Sequence, residues 1–455
     1  MAASWNEYNL NPALMDKLEQ EHITAPTPVQ AAALPGLLGG KDISARSQTG
    51  TGKTLAYLLP ALQMIDTARQ ELQVLIMAPT QELAMQIVRV AEDYGQAVGV
   101  RVQQLIGGAS MKRQVEKLRA HPHLICGTPG RIHEIVKTGK LKLHTIRLLI
   151  VDEADQVFSL GSTKETDFLV KSMPRDRQLA FFSATRPQAM EEVEGRWMNE
   201  PQHIDLSDDQ SLKGKVDHIY IVCDKRDKVD TARKLIRMLN PDRALLFINS
   251  TDEIANYEAK FGYEGFTIEA LYGDADKQRR AATLARFRDG RCQLLLATDV
   301  AARGLDIAGL PLVVHLDPAA DSDHYIHRSG RTGRMGKSGT VVSIVTAPEK
   351  FIMEKFQKQL GIEIAERSMY LGQLWAPEQR EEMPQGRKPK SGNNSASKQE
   401  SLSGKLQVAG RPAAAGGKPA KAAAAPAKAV RNRERDRDRK NKGAPKWLKA
   451  KRDGQ

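Results

Sequence analysis

Cysteine is scarce in this chain. Its 455 residues include three, Cys126, Cys223 and Cys292, far apart and without paired spacing. That excludes a disulfide framework and a cysteine-built zinc cluster, and it points to a reducing compartment. Each of the three lies in or beside an apolar run and reads as a small buried side chain. Long hydrophobic runs are missing as well. Every apolar stretch breaks off well before the length a membrane span needs, so no membrane partner is expected. Residues 1–10 lack both the apolar segment of a secretory signal and the arginines of a transit peptide. The expectation is a soluble, cytoplasmic protein acting as a monomer.

Net charge is missing from most of the sequence too. Before residue 378, 47 Lys and Arg balance 47 Asp and Glu; from Glu378 onward 21 basic residues face 8 acidic ones, so the tail carries the whole formal net charge of +13. A basic tail on a neutral body suggests a polyanionic partner. Ala413–Ala427 is rich in Ala, Gly, Pro and Lys, and Arg431–Lys440 alternates Arg with Glu or Asp. Such composition buries too little apolar surface to offset chain entropy, so disorder is expected there. Trp447-Leu448, among the cations of 446–451, suits stacking on a base and suits an ordinary chain end equally.

What the body does have is alternation. At 41% apolar, 455 residues can bury more than one core. Asn11-Pro12 starts a helix, Pro26 and Pro28 break the chain, and a second helix is expected over Ala31–Leu38. Strand-like runs at Asp42–Ala45, Val74–Ala78, Leu124–Cys126, Leu148–Val151 and Leu179–Phe182 alternate with helical ones at Glu82–Tyr94 and Lys112–Ala120. Residues 207–215 are polar and aperiodic, a linker. The alternation then resumes with strands at Ile219–Val222, Ala244–Ile248, Ile268–Leu271, Gln293–Ala297, Leu312–His315 and Thr340–Val345. Helices at Lys228–Leu239, Ile254–Phe261 and Gln278–Arg288 separate them. Apolar strands divided by amphipathic helices predict an α/β fold with parallel sheets covered on both faces. The expected units are 1–206, a linker at 207–215, 216–370, and a basic tail at 371–455.

Three stretches carry chemistry. In Ser47-Gln48-Thr49-Gly50-Thr51-Gly52-Lys53-Thr54, a strand leads into glycines and then a helix. Backbone N–H groups at such a helix start form a nest for phosphate; Lys53 reaches the outer phosphates and Thr54 holds Mg²⁺. A glycine-rich turn of no special use is the competing reading, and Gly-Lys-Thr opening a helix after a strand speaks against it. About a hundred residues on, the apolar run Leu148–Val151 ends in Asp152-Glu153-Ala154-Asp155. A buried parallel strand delivers its last residues to the ligand crevice. There Asp152 holds the water shell of Mg²⁺ and Glu153 serves as general base. An acidic helix start with an Asp cap competes on equal terms until the phosphate loop is considered. Third, His327-Arg328-Ser329-Gly330-Arg331-Thr332-Gly333-Arg334 spaces arginines three apart between glycines. Arg331 and Arg334 suit a phosphoryl group whose charge is shifting, supplied across a cleft by the second unit. A solvated basic helix and an RNA-backbone patch are the alternatives.

In combination these stretches resemble the DEAD-box ATP-dependent RNA helicases, over about residues 5–365. The match includes Gln30 after Pro26-Thr27-Pro28, Thr49–Thr54, Pro79-Thr80-Gln81-Glu82-Leu83-Ala84, Gly107-Gly108, Thr128-Pro129-Gly130-Arg131, Asp152–Asp155 and Ser183-Ala184-Thr185. It continues with Phe247–Ser250, Ala297–Asp306 and His327–Arg334. The resemblance implies two tandem RecA-like domains, ATP and Mg²⁺ as cofactors, and RNA as partner. It implies that Gln30 reads adenine, that Trp5 stacks near the base, and that Gln48, Thr49, Gly50, Thr51, Gly52, Lys53, Thr54 and Asp152 hold the nucleotide and its metal. Asp306 is then a ribose contact, Arg331 and Arg334 meet the γ-phosphate, and Ser183 and Thr185 couple nucleotide state to closure. Thr80, Gly108, Thr128, Arg131, Thr298 and Gly304 line the RNA path, meeting sugar and phosphate more than bases.

Several positions depart from the family pattern. Ser47 stands for alanine, with no loss expected. His22 stands for glycine before the Gln30 segment, and Gln81 for arginine, which removes a cation near RNA or the domain interface. Tyr272-Gly273-Asp274 with Lys277 and Arg280 replaces His-Gly-Asp and Gln-x-x-Arg. The function that follows is RNA-stimulated ATP hydrolysis coupled to local unwinding of short duplexes and to remodelling, with the tail on structured RNA. By family analogy, ribosomal precursor particles are candidate partners. An ATP-dependent RNA clamp and a tail-driven annealing chaperone are the rival readings.

Overall fold

Short runs of apolar residues, buried on both sides, form the centre of each half of the molecule. A computed structural model describes residues 3–48, 50–159, 163–206, 216–271, 277–302, 307, 309–333 and 338–377. The first half builds one parallel sheet from β1 (Ile43–Arg46), β2 (Val74–Met77), β3 (Val102–Leu105), β4 (Leu124–Gly127), β5 (Leu148–Asp152), β6 (Gln178–Ser183) and β7 (Gln202–Asp205). Their order is β3-β4-β2-β5-β6-β1-β7. Two apolar clusters cover its two faces, one including Leu14, Val29, Leu58 and Ile76, the other Leu75, Ile132, Val151 and Phe181. This is the doubly covered α/β layering that continuous apolar strands require.

The second half repeats the plan. Its strands are β8 (Val216–Val222), β9 (Ala244–Phe247), β10 (Ile268–Leu271), β11 (Leu294–Ala297), β12 (Leu312–His315), β13 (Gly339–Val345) and β14 (Ala365–Glu366). The order β10-β11-β9-β12-β13-β8-β14 matches the first sheet strand for strand. A hairpin of β15 (Ser368–Tyr370) and β16 (Gln373–Trp375) follows. Met369 and Leu374, paired across it, pack on the second lobe's core. Both sheets belong to one compact unit. No helix among the described residues is long and apolar enough to cross a membrane.

The sequence expectation fails at one helix start. Pro28 does not break the chain; it is the first residue of the helix Pro28–Leu38, which takes in Val29 and Gln30. Proline has no N–H to lose at that position and its fixed φ already suits a helix. The linker at 207–215 and the tail from 378 lie outside the described residues.

Candidate active site

The phosphate loop leaves β1 and enters the helix Lys53–Met64. Gly50 and Gly52 have φ of 83° and 92°, a region L-residues avoid. A Cβ on Gly52 would also stand 2.7 Å from Gln30 Nε2, so this position has room for glycine alone. Lys53 is buried and its ammonium donates to the Ser47 carbonyl at 2.9 Å. Ser47 does more than stand in for alanine: its hydroxyl lies 2.8 Å from Thr51 Oγ1, which in turn donates to Gln48 O at 2.9 Å. Thr54, half-buried, is the second residue of the helix. Thr49 lies outside the described residues.

Gln30 joins two pieces of backbone. Its Oε1 accepts from Thr27 N at 2.8 Å and its Nε2 donates to Gly52 O at 3.0 Å. A carboxamide can make four hydrogen bonds. One N–H and one lone pair therefore remain without a partner among the described residues, on a side chain that is 1% exposed. Trp5 is placed less favourably for stacking. It is 4% exposed and its indole N–H donates to Ile23 O at 2.9 Å, which leaves at most an edge for a base and makes the ring a brace for the segment before Gln30. His22 sits at φ 58°, which explains why glycine suits that turn.

At the end of β5, Asp152 Oδ1 accepts from Glu153 N at 2.9 Å and Oδ2 accepts from Tyr57 OH at 2.8 Å. Burial pushes the Asp152 carboxyl up to about 6; Lys53 opposes this and Glu153 adds to it. Glu153 has φ 47° and is buried, and its Oε2 has no hydrogen-bond partner among the described residues. Two buried carboxylates, one with an oxygen lacking a partner among the described residues, fit a hydrated divalent cation and a proton to be taken. Tyr57 was not legible as a site residue; it is separated from Asp152 by 95 positions.

Asp155 is one meeting point of the two lobes. Its Oδ2 accepts from Thr185 Oγ1 at 2.7 Å and from Thr185 N at 3.2 Å, and lies 3.0 Å from His327 Nε2 of the second lobe. Ser183 Oγ accepts from Asp155 N at 3.4 Å and donates to Thr185 O at 2.6 Å. Burial by itself favours the neutral form of Asp155. The bond to His327, its charge, Thr185 and Lys53 outweigh that and hold the carboxyl well below its usual range. The same partner raises His327 against the opposing effect of burial. Gln156 Nε2 lies 3.2 Å from His327 Nδ1, while Gln156 Oε1 is buried without a partner among the described residues. Turning that amide over lets the oxygen accept from the imidazolium. A cavity of about 150 Å³ opens here, lined by Asp155 and Thr185 from one lobe and Asp299, His327 and Arg331 from the other. Of the two arginines expected at the γ-phosphate, Arg331 is buried on the cavity wall; Arg334 lies outside the described residues, as do Asp306 and Gly304.

Arg328 holds that wall together. It is 1% exposed and donates to both Asp299 oxygens at 2.7 and 2.6 Å, to Asn249 Oδ1 at 2.7 Å and to Asp317 O at 2.9 Å, with its guanidinium 5.0 Å from the Phe247 ring centre. The three-residue arginine spacing flagged the stretch without separating this packed arginine from Arg331.

The expected RNA contacts fall on the other half of the same sheet edge. Thr80, Gly108 and Thr128 follow β2, β3 and β4, which are neighbours in the sheet, whereas the phosphate loop, Glu153 and Ser183 belong to β1, β5 and β6. Thr298 follows β11, the counterpart of β4. Thr80 caps the helix Gln81–Ala97, its Oγ1 accepting from Leu83 N at 3.2 Å. Arg131 is directed at protein, donating to Glu134 at 2.8 Å and to Ala109 O at 2.9 Å. Across the lobes, Arg280 donates to Glu82 at 2.7 Å, and within its own lobe it donates to Ala301 O at 2.7 Å.

Comparison with known proteins agrees with this layout. Residues 27–193 match the DEAD/DEAH box helicase family model and 227–336 the helicase conserved C-terminal domain. The chain is 43% identical to the probable ATP-dependent RNA helicase YfmL of Bacillus subtilis, over 80% of this chain and 96% of that protein. It is 41% identical to the DEAD-box ATP-dependent RNA helicase CshC of Bacillus cereus, over 84% and 97%. Its fold resembles a structure of S. cerevisiae Dbp5 bound to RNA and ADP BeF3, with TM-score 0.74, 29% identity, and coverage of 80% of this chain and 95% of that one. On identity, coverage and fold together, the chain belongs to the DEAD-box ATP-dependent RNA helicases.

Proposed function

We propose that single-stranded RNA and ATP close the two lobes on each other, that the closed state disrupts a short duplex locally, and that hydrolysis reopens it. The lobes are taken as 1–206 and 216–370, joined by 207–215. Gln30 selects the base. Lys53 and the loop amides of Gln48–Thr54 bind the outer phosphates. Thr54 and Asp152 would hold magnesium, which would supply positive charge against the phosphates. Glu153 takes the proton of the attacking water, and Arg331 and Arg334 stabilise the charge that develops. Thr80, Gly108, Thr128 and Thr298 contact the RNA backbone, and the basic tail tethers structured RNA and raises its local concentration. Ribosomal precursor particles are a fitting source of such RNA.

The observation that carries this reading is the meeting of Asp155, Thr185 and His327, because it makes the catalytic strand ends of the first lobe sensitive to the second. Phosphate release by the full chain, measured with and without RNA, is the test. Stimulation by single-stranded RNA is expected. Equal rates in both conditions would leave a non-catalytic clamp or an annealing chaperone as the better description.

A further inference from the structure

The loop 106–110, which presents Gly107 and Gly108, hangs from the end of edge strand β3. Past β3 the ladder ends, and the backbone groups of Ile106 are satisfied by a side chain. Gln114 Oε1 accepts from Ile106 N at 3.0 Å and Gln114 Nε2 donates to Ile106 O at 2.9 Å. The amide thus reproduces both bonds of a strand neighbour. Its second N–H reaches Ala109 O at 3.4 Å. The backbone of Gln114 is tied in as well, its N–H to Ser110 O at 3.1 Å and its carbonyl to Gln103 Nε2 at 2.8 Å. Gln114 is 6% exposed, so water does not replace these bonds cheaply.

The loop is held bare as well as firm. Gly108 has φ 62°, and a Cβ on Gly107 would stand 2.9 Å from Gln81 Nε2. Arg131 grips Ala109 O from the other side. Glutamine alone meets the requirement at 114. Asparagine is one methylene short, and an ionised glutamate turns an oxygen toward the Ile106 carbonyl.

We infer that Gln114 is a positioning residue for RNA: it sets the conformation of loop 106–110 through both ends of its amide, without touching the ligand. This rests on the reading above that the Gly108 loop lines the RNA path. The test uses the full chain and a fluorescein-labelled oligouridine. Gln114→Glu is expected to weaken RNA binding about tenfold at pH 8, with KM for ATP at saturating RNA unchanged. At pH 5 the buried carboxyl is protonated and its O–H donates to Ile106 O, so the ratio to wild type at the same pH should return toward one. Gln114→Met, of similar shape and without hydrogen bonds, should be weak at both values and serves if the charged variant fails to fold. Hydrogen exchange of the 106–110 amides, with and without RNA, tests the underlying reading separately. RNA protection of the wild-type loop together with a weakened, acid-rescued variant supports the inference. Protection with wild-type affinity in both variants, or weakening without rescue, overturns it while the RNA path stands. No protection of the wild-type loop removes both.

Discussion

Glu153, the proposed general base, sits at a structural cost. It occupies a left-handed φ and keeps a buried oxygen without a partner among the described residues. Neither feature helps the fold. Glu153→Gln keeps the shape and removes the base, so phosphate release should fall about a hundred- to ten-thousandfold while ATP affinity is retained. Normal turnover in single-turnover measurements would remove Glu153 from that role. At this scale the sequence singled out residues by their own type and local spacing, such as Lys53, Asp152 and Arg331, and the structure buries all three. It did not reveal Tyr57, Arg328 or Gln114, whose importance lies in what they touch. Tyr57 meets Asp152 across 95 positions and Arg328 meets Asn249 across 79, distances over which no spacing rule operates.

At the scale of elements, β8, β12 and the helix Ser322–Ser329 share a buried polar cluster. His218 Nδ1 lies 2.9 Å from Tyr325 OH, and His315 Nδ1 lies 3.2 Å from Ser343 Oγ. Burial pushes His218 down to about 4 and His315 well below its ordinary value. The unfolded chain therefore binds more protons than the folded lobe below about pH 6.5, and stability falls as pH falls from there toward 4. His218 alone accounts for a loss on the order of 3 kcal/mol across that span. Denaturant midpoints of the second lobe should decline through this range, and His218→Asn should flatten the decline; a pH-independent midpoint in wild type would contradict it. The elements themselves were legible where strands are buried on both faces and read as unbroken apolar runs. The edge strands β3, Val-Gln-Gln-Leu, and β7, Gln-His-Ile-Asp, were not, because two of four residues in β3 and three of four in β7 are polar. In β3 the polar Gln103 is buried all the same, for it donates to Gln114 O.

For the whole molecule the decisive pair is Asp155 with His327. His327 is raised and Asp155 lowered, each by the other. Their contribution to lobe contact is fully present between the ordinary values of 3.8 and 6.5, fades upward as pH passes the raised histidine value, and fades downward as it passes the depressed aspartate value. Interlobe distance followed by energy transfer between two dyes should lengthen on average as pH rises through that upper limit, by an equilibrium shift of about 2 kcal/mol. In His327→Gln the dependence should vanish; an unchanged profile would show that another group controls it. The two-sheet plan was readable from the alternation of apolar strands and helices. Its strand-for-strand repetition was not, since β8 leads into Cys223-Asp224-Lys225 where β1 leads into glycines. The first sheet also makes its lobe separable for engineering. On the proposed reading hydrolysis uses one half of its edge and nucleic acid the other, so the loops after β2, β3 and β4 form a cassette. A designer who exchanges that cassette and retains Glu82 for Arg280 alters which strand is held and leaves the phosphate loop in place.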